Sequence, residues 1–465
     1  MLLEKTNRFW KAGLSIGDER CREHNRRYMK KKRILPIIML MCSALLCACN
    51  YNRKSMKNEY AEKDGEKEYA ESTDRQIETP SGYPSMPESA PATARVYGNK
   101  EEKGYNLPID ARQRAEAEED CKEMMGLLLE LYKNADKGCA FNVVIADEVI
   151  DQMMEKLKAT GCPVTGTELY SNMENYAKLE DFLNAAAAGS GGSAVVYEIH
   201  SDGGIGRYQY SYDGKDMYVL SAQAAWSDDD KPVITCISDT RIKEWKFTDK
   251  GYFCYELCVP EYPEVTEIVD GSCIVRVTPI TEENREMSEK CVLGLAYQGN
   301  NLLCSDWDAD HMESLDYNGM YEYLYAMKYQ EQFPSENYPD GIPKDEFERL
   351  IMEYLPVTVE EIRDYAAFDE EKQTYAWERL GCSNYAPACF GTSFPEVTDI
   401  RENEDGTVTL TVDAVCSMIL CDDAVITHEL TVRFAEDGSF RYLGNKILDD
   451  GISNIPEYQY RIVRE

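Results

Sequence analysis

The densest run of ionisable side chains in the sequence is Asp306-Trp-Asp-Ala-Asp-His-Met-Glu313. Acids at its first, third and fifth positions match the start of a calcium loop, where alternating oxygen ligands turn inward onto a hard cation. The pattern then breaks. His311 stands at the sixth position, where the turn needs glycine, and Tyr317 at the twelfth, where a bidentate acid belongs. Asp306, Asp308 and Asp310 are therefore weak metal candidates, and a solvated loop is the simpler reading. Asp306, Asp308 and Glu313 are also the least unfavourable carboxylates for a glycan-directed hydrolase, which needs two carboxyl groups at a defined separation. With 81 Asp and Glu from Cys49 onward, such pairs carry almost no specificity.

Other chemistries fail on order or spacing. Gly189-Ser-Gly-Gly-Ser193 follows a helical stretch and precedes a strand, whereas a phosphate loop runs strand, glycines, helix. It reads as a helix C-cap and turn. Nucleophilic catalysis needs Ser or Cys beside His, yet His200, His311 and His428 are far apart and no GxSxG elbow exists. No catalytic residue and no cofactor is assigned. Tyr317, Tyr321 and Tyr325 recur at helical spacing, with Tyr323 and Tyr329 nearby. Buried, such rings fill a core; exposed beside acids, they stack on sugars.

Of the 17 cysteines, Cys21, Cys42 and Cys47 precede Cys49 and 13 follow it, an odd number that cannot pair completely within one chain. No CxxC and no zinc spacing occurs. Cys382 and Cys389 are spaced to close a loop disulfide, and Cys416 with Cys421 a turn; the remainder are expected to be packed thiols. Cys254 and Cys258, four apart along a strand, are separated too far to bridge each other.

Lys30-Lys-Lys-Arg33 precedes 13 residues, Ile34 to Leu46, that are apolar apart from Pro36 and Ser43, and then Cys47-Ala-Cys49. The stretch is too short to remain in a bilayer as a spanning helix. Leu46-Cys-Ala-Cys49 resembles the lipobox of bacterial lipoproteins, with Leu at −3, a small residue at −1 and the lipidated cysteine at +1. The resemblance implies a diacylglycerol thioether on Cys49 and a protein held at the cell membrane, facing outward. Residues 1–28 are a polar extension that no secretory signal needs, so Met29 reads as the true start. The chain as a whole resembles the uncharacterised lipoproteins of Gram-positive bacteria, and that resemblance transfers no active-site residue.

From Cys49 onward the chain holds 39 Lys and Arg against 81 Asp and Glu, a formal net charge of −42. Such a surface repels nucleic acid and anionic headgroups, so the expected partners are the membrane through the lipid and an envelope ligand or protein, with no nucleic acid. Residues 49–108 are polar, charged and rich in Pro and Ser, as in a disordered stalk.

What must position any site is an α+β body. Helical periodicity covers about 110–133, with Met124, Leu127, Leu128 and Leu131 on one face, then about 147–159 and 174–188. A meander of strands follows, punctuated by Asp202-Gly203, Asp213-Gly214, Asp249-Lys-Gly251 and Asp270-Gly271, with further strands near 291–298 and 302–306. Phe347, Leu350, Ile351, Tyr354 and Leu355 mark another amphipathic helix, stopped by Pro356. Thr358 with Glu361 forms a capping-box signature for the next. Strands near 396–402, 407–417, 425–435 and 439–447 close the chain. Pro263-Glu-Val-Thr-Glu-Ile268 recurs as Pro395-Glu-Val-Thr-Asp-Ile400, 132 residues on. Cys273–Val277 then aligns with Val408–Val412, and Val292–Tyr297 with Leu430–Ala435. The expectation is two tandem modules, 109–312 and 313–465, each a helical block followed by an antiparallel β-sheet, the first with an extra meander.

A gene beginning at Met29 should direct export and processing as efficiently as the full reading frame. Pulse-labelling of the two forms checks this, and precursor accumulating only from the shorter gene would restore a role to residues 1–28.

Overall fold

A computed structural model describes residues 103–137, 143–381, 389–418 and 423–462, and the architecture is mixed α/β. The described residues form seven α-helices, a seven-stranded sheet, a five-stranded sheet and a small three-stranded sheet.

Two helices lead: α1 (Ala111–Asn134) and α2 (Asp147–Lys158). The carboxylate of Asp110 caps α1 by accepting from the amides of Arg112 and Gln113 at 2.8 and 2.9 Å, satisfying donors that the first turn leaves unpaired. The buried stripe of α1 runs Ala117, Cys121, Met124, Met125, Leu128 and Tyr132. Leu127, expected on that face, lies just outside it at 40% exposure.

The first sheet runs in chain order: β1 (Val164–Gly166), β2 (Gly192–Ile199), β3 (Ile205–Tyr212), β4 (Met217–Trp226), β5 (Pro232–Phe247), β6 (Tyr252–Leu257) and β7 (Ser272–Arg276). All pairs are antiparallel except β1 with β2. Between β1 and β2 lies α3 (Ala177–Ala187). Its C-terminus closes with Gly189 and Ser190 amides donating to Ala186 and Ala185 carbonyls, both at 2.9 Å, so the Gly189–Ser193 run is the cap and turn expected of it. The two-residue side-chain period of strands then makes two cores. One face packs Tyr197, Ile199, Ile205, Leu220, Ala222 and Ala224 against α1 and α2. The opposite face packs Val196, Tyr210, Val219, Ile242, Phe253 and Tyr255 against Leu179, Phe182 and Leu183 of α3. Gly203 takes φ +77 in the β2–β3 turn, a conformation that favours glycine. The long β5 serves β4 along its first part and β6 along its last. The amide of Arg241 donates to the Gly104 carbonyl at 2.6 Å and that of Leu107 to the Asp239 carbonyl at 3.0 Å, so the segment before α1 is stitched to β5.

The second half holds α4 (Glu282–Cys291), β8 (Trp307–Asp308), α5 (Tyr317–Tyr329), β9 (Ile342–Pro343), α6 (Lys344–Tyr354), α7 (Val359–Tyr365), β10 (Phe368–Asp369) and β11 (Thr374–Tyr375). β12 (Phe394–Glu402), β13 (Val408–Val415), β14 (Ala424–Phe434) and β15 (Phe440–Ile447) complete it. The five-stranded sheet has the order β12-β13-β14-β15-β8, and β10-β11-β9 forms the small one. The capping box at Thr358 and Glu361 is present. Tyr321 stacks on Phe347, and Phe347 on Tyr375, at ring-centroid distances of 4.9 and 4.0 Å.

Several expectations are corrected. Residues 263–268 lie in an exposed 14-residue connection between β6 and β7 rather than a strand, so they do not correspond to β12, which holds 395–400. Residues 292–297 form turns after α4, not a strand, and 302–306 likewise form bends rather than a strand. The repeat therefore rests on local sequence likeness without matching strands. Residues from Cys291 to Met312 pack into one core with Val412, Leu430 and Tyr442, and β8 pairs with β15. The expected boundary at 312/313 cuts through that core. Cys49 and the stalk to 102, Cys382 and Cys421 lie outside the described residues, as does the side chain of Cys389.

Leu128 is fully buried between α1 and the first sheet, so Leu128→Ala should lower unfolding stability by about 2–5 kcal/mol. Leu127→Ala, one residue away, should cost under about 0.5 kcal/mol. Urea titration of both variants measures the contrast, and equal losses would refute the assigned helix face.

Candidate functional site

The acidic candidates Asp306 and Asp308 are engaged in hydrogen bonds of their own rather than in one site. Asp306 is spent on the backbone, its Oδ1 accepting from the Ile447 amide at 2.7 Å and fixing β8 beside β15. Asp308 accepts from the Asp310 amide at 2.9 Å and pairs with His311 Nδ1 at 2.8 Å. The pair is solvent-exposed; the hydrogen bond to Asp308 holds the His311 imidazole above its ordinary value, and the Asp308 carboxyl is held low in return. Among the described residues no group of three His, Cys, Asp or Glu side chains is placed to hold a metal ion.

His428 is fully buried on β14. Asn445 donates its Nδ2 to the Leu303 and Ser305 carbonyls at 3.2 and 2.9 Å, which orients its Oδ1 toward His428 Nδ1 at 2.6 Å. Nδ1 therefore carries the proton, and Nε2 accepts from the Tyr297 hydroxyl at 2.8 Å. Both ring nitrogens are satisfied in the neutral form. Burial lowers the imidazole to about 4, against the opposing pull of Asn445 and Asp413. The tautomer and its partners describe a core histidine.

A cluster of buried charge joins the seven-stranded and five-stranded sheets. Glu396, on β12 and 2% exposed, forms an ion pair with Arg276 of β7 and accepts from the Tyr252 hydroxyl of β6 at 2.7 Å. The Arg276 guanidinium lies 4.0 Å from the centre of the Tyr252 ring. Burial pushes the Glu396 carboxyl up, while Arg276 and Tyr252 draw it back. Beside it Lys250 Nζ lies 2.8 Å from Asp413 of β13, whose other oxygen accepts from Thr427 at 2.6 Å. The Tyr170 hydroxyl donates to the Pro395 carbonyl. Apolar contact between Tyr252, Cys254 and Val415 seals the interface. Sequence reasoning missed this cluster because Arg276 and Glu396 stand 120 residues apart. The available signal was a charge flanked by strand-forming residues, Ile-Val-Arg-Val and Pro-Glu-Val.

One surface depression, of about 350 Å³, lies at the start of α3 and is lined by Asn172, Glu174, Asn175, Tyr176 and Pro279. Its polar lining is engaged in holding the chain. Asn172 bonds both backbone groups of Ile280, Asn175 donates to the Lys158 and Cys162 carbonyls, and Glu174 lies 3.0 Å from Lys158.

The tyrosine stripe of α5 divides by depth. Tyr317 and Tyr321 are core residues at 1% and 2% exposure, whereas Tyr329 is 43% exposed and Tyr325 half-buried. The aromatic surface is thus made by the C-terminal end of α5 together with Phe333, Tyr338 and Trp377, which the four-residue spacing did not reveal.

Fold and site together define a mixed α/β protein whose two larger sheets are joined by a buried ion pair, with the histidines among its described residues dispersed. The chain belongs to a family of unknown function, DUF6070, whose match covers residues 114–461, from α1 through all three sheets. No curated protein and no solved structure matches it.

Because the folded imidazole lies at about 4 and an unfolded one near 6.5, only the unfolded chain takes up the proton in that window. Stability should therefore fall by about 3 kcal/mol from this group as pH drops from about 6.5 to 4, and not above 6.5. Comparing urea midpoints of wild type and His428→Gln at pH 7.5 and 4.5 isolates the term; an identical pH response in both proteins would contradict it.

Proposed function

We propose that this protein is a lipid-anchored component of the bacterial envelope, facing outward, whose folded body binds an envelope ligand or protein. The observation that carries the anchoring half is the ordered succession of Lys30–Arg33, the short apolar stretch and Leu46-Cys-Ala-Cys49. Each part has its own physical requirement: cations held on the cytoplasmic side, an apolar length below that of a span, and a thiol as acceptor for the lipid. Among the described residues no helix is long and apolar enough to cross a membrane.

Support for the binding half comes from what the body does with its polar groups. His428, Glu396, Asp413 and Asn445 are all engaged in holding strands and turns. Large aromatic side chains, by contrast, remain partly exposed around the end of α5. Exposed rings in contact with one another mark interaction surfaces more often than isolated ones do.

Expressed in a Gram-positive host, wild type should fractionate with membranes and be cleaved by protease added to intact cells. Cys49→Ala should lose membrane retention of the processed form. Retention of wild type in the cytosol would overturn the anchoring half. For the binding half, thermal midpoints of the full chain are to be compared with glycans, peptidoglycan fragments and ammonium compounds. A rise with one class supports ligand binding; no shift with any class removes small-ligand binding.

A further inference from the structure

Four aromatic side chains meet at the surface where α5 ends. Tyr325 and Tyr329 lie one helical turn apart, ring centroids 4.5 Å from each other. Phe333, 6% exposed, forms the floor beneath them, 5.3 Å from Tyr325. Tyr338 stacks on Phe333 at 5.1 Å and Trp377 meets it edge-on at 5.3 Å. Tyr325, Tyr338 and Trp377 are half-buried, and Tyr329 is exposed. The platform is rigid because its floor continues inward: Phe333 packs edge-on against Tyr321, which stacks on Phe347.

Ring faces and carboxylates make up most of the charge environment of this platform. Ring faces carry the negative lobe of the aromatic quadrupole. Glu346 accepts from the Tyr338 hydroxyl at 2.8 Å and so sits at the rim. Glu331 and Glu346 both bear on Tyr325, adding to the effect of burial in raising its phenol. One cation already occupies this environment: the Lys328 ammonium, paired with Glu353, lies 5.3 Å from the Tyr329 ring centre. The chain around it carries a net charge of −35, which disfavours any anionic ligand.

We propose that the Tyr325–Tyr329–Tyr338–Trp377 platform binds an organic ammonium group, with the ring faces and the Glu346 and Glu331 carboxylates supplying its counter-field. The inference rests on the ligand-binding reading above and names its ligand class. A neutral sugar would gain contact area and hydrogen bonds here, but nothing from the field; an ammonium group gains from both.

The test is ligand-observed saturation-transfer NMR on the full-length chain with three probes: choline, its neutral isostere 3,3-dimethylbutan-1-ol, and a chitin tetrasaccharide. Choline should bind, and the isostere at least about tenfold more weakly. Tyr329→Ala should weaken choline about five- to tenfold, and Tyr329→Leu, which keeps apolar bulk, by a similar factor. Glu346→Gln should weaken it and flatten its dependence on salt. Unchanged thermal midpoints establish that the variants fold. Equal affinity for choline and its isostere would overturn the proposal, as would choline binding indifferent to all three substitutions. Binding of the tetrasaccharide alone would overturn the ammonium assignment while leaving the ligand-binding reading intact. Binding of none of the three would overturn the site itself.

Discussion

A carboxylate taken out of water must find positive charge and hydrogen-bond donors, or it will not stay ionised inside a protein. Glu396 meets that demand with groups from the other sheet: Arg276 from β7 and the Tyr252 hydroxyl from β6. The demand is mutual, because Arg276 is itself 11% exposed and its guanidinium rests on the Tyr252 ring. Removing one partner while the other stays buried would leave an uncompensated charge, at a cost of about 3–5 kcal/mol. Lys250 and Asp413 repeat the logic one strand further along. The geometry of the junction is therefore dictated by charge satisfaction, with the small apolar contact of Tyr252, Cys254 and Val415 excluding water from it.

The same economy governs the edges. β12 ends the five-stranded sheet and would present unpaired backbone groups, a liability for any edge strand. Side chains take the place of a neighbouring strand. Ser288 Oγ accepts from the Val397 amide at 2.9 Å, Asn284 donates to the Thr398 carbonyl at 2.8 Å, and Tyr170 donates to that of Pro395. Two of these come from α4, so that helix closes the edge. Tyr170, Glu396 and α4 thus bind three parts of the chain around one strand.

Several buried polar groups, His428, Glu396, Asp413 and Asn445 among them, hold strands and turns together. Arg461 shows the same use near the end of the described chain. It is 6% exposed, donates to the Gly299 and Gly319 carbonyls at 3.1 and 2.7 Å, and lies 2.7 Å from Glu322. That the family match reaches this residue agrees with its place in the core of the second half. Function is then sought at the surface, where the aromatic platform breaks the usual rule that large rings are hidden.

Local signals were legible in the sequence. Asp-Gly turns, the Thr358–Glu361 capping box, the Pro356 stop and the alternation of most strands each depend on residues within a few positions of one another, so the chain alone determined them. The helical stripe of α1 was legible to within one residue, Leu127, because periodicity locates a face but not its margin. Pairings remote in sequence were decided by tertiary structure. The likeness of 263–268 to 395–400 predicted matching strands, yet β12 has β13 as a partner and the earlier segment has none. A strand needs a neighbour for its hydrogen bonds, and six similar residues do not supply one. Likewise nothing near Arg276 in sequence announces Glu396, and four-residue spacing cannot tell that Tyr321 is covered by Phe347 while Tyr329 is not. Burial is a property of what packs over a residue, and that is set only when the whole chain has folded.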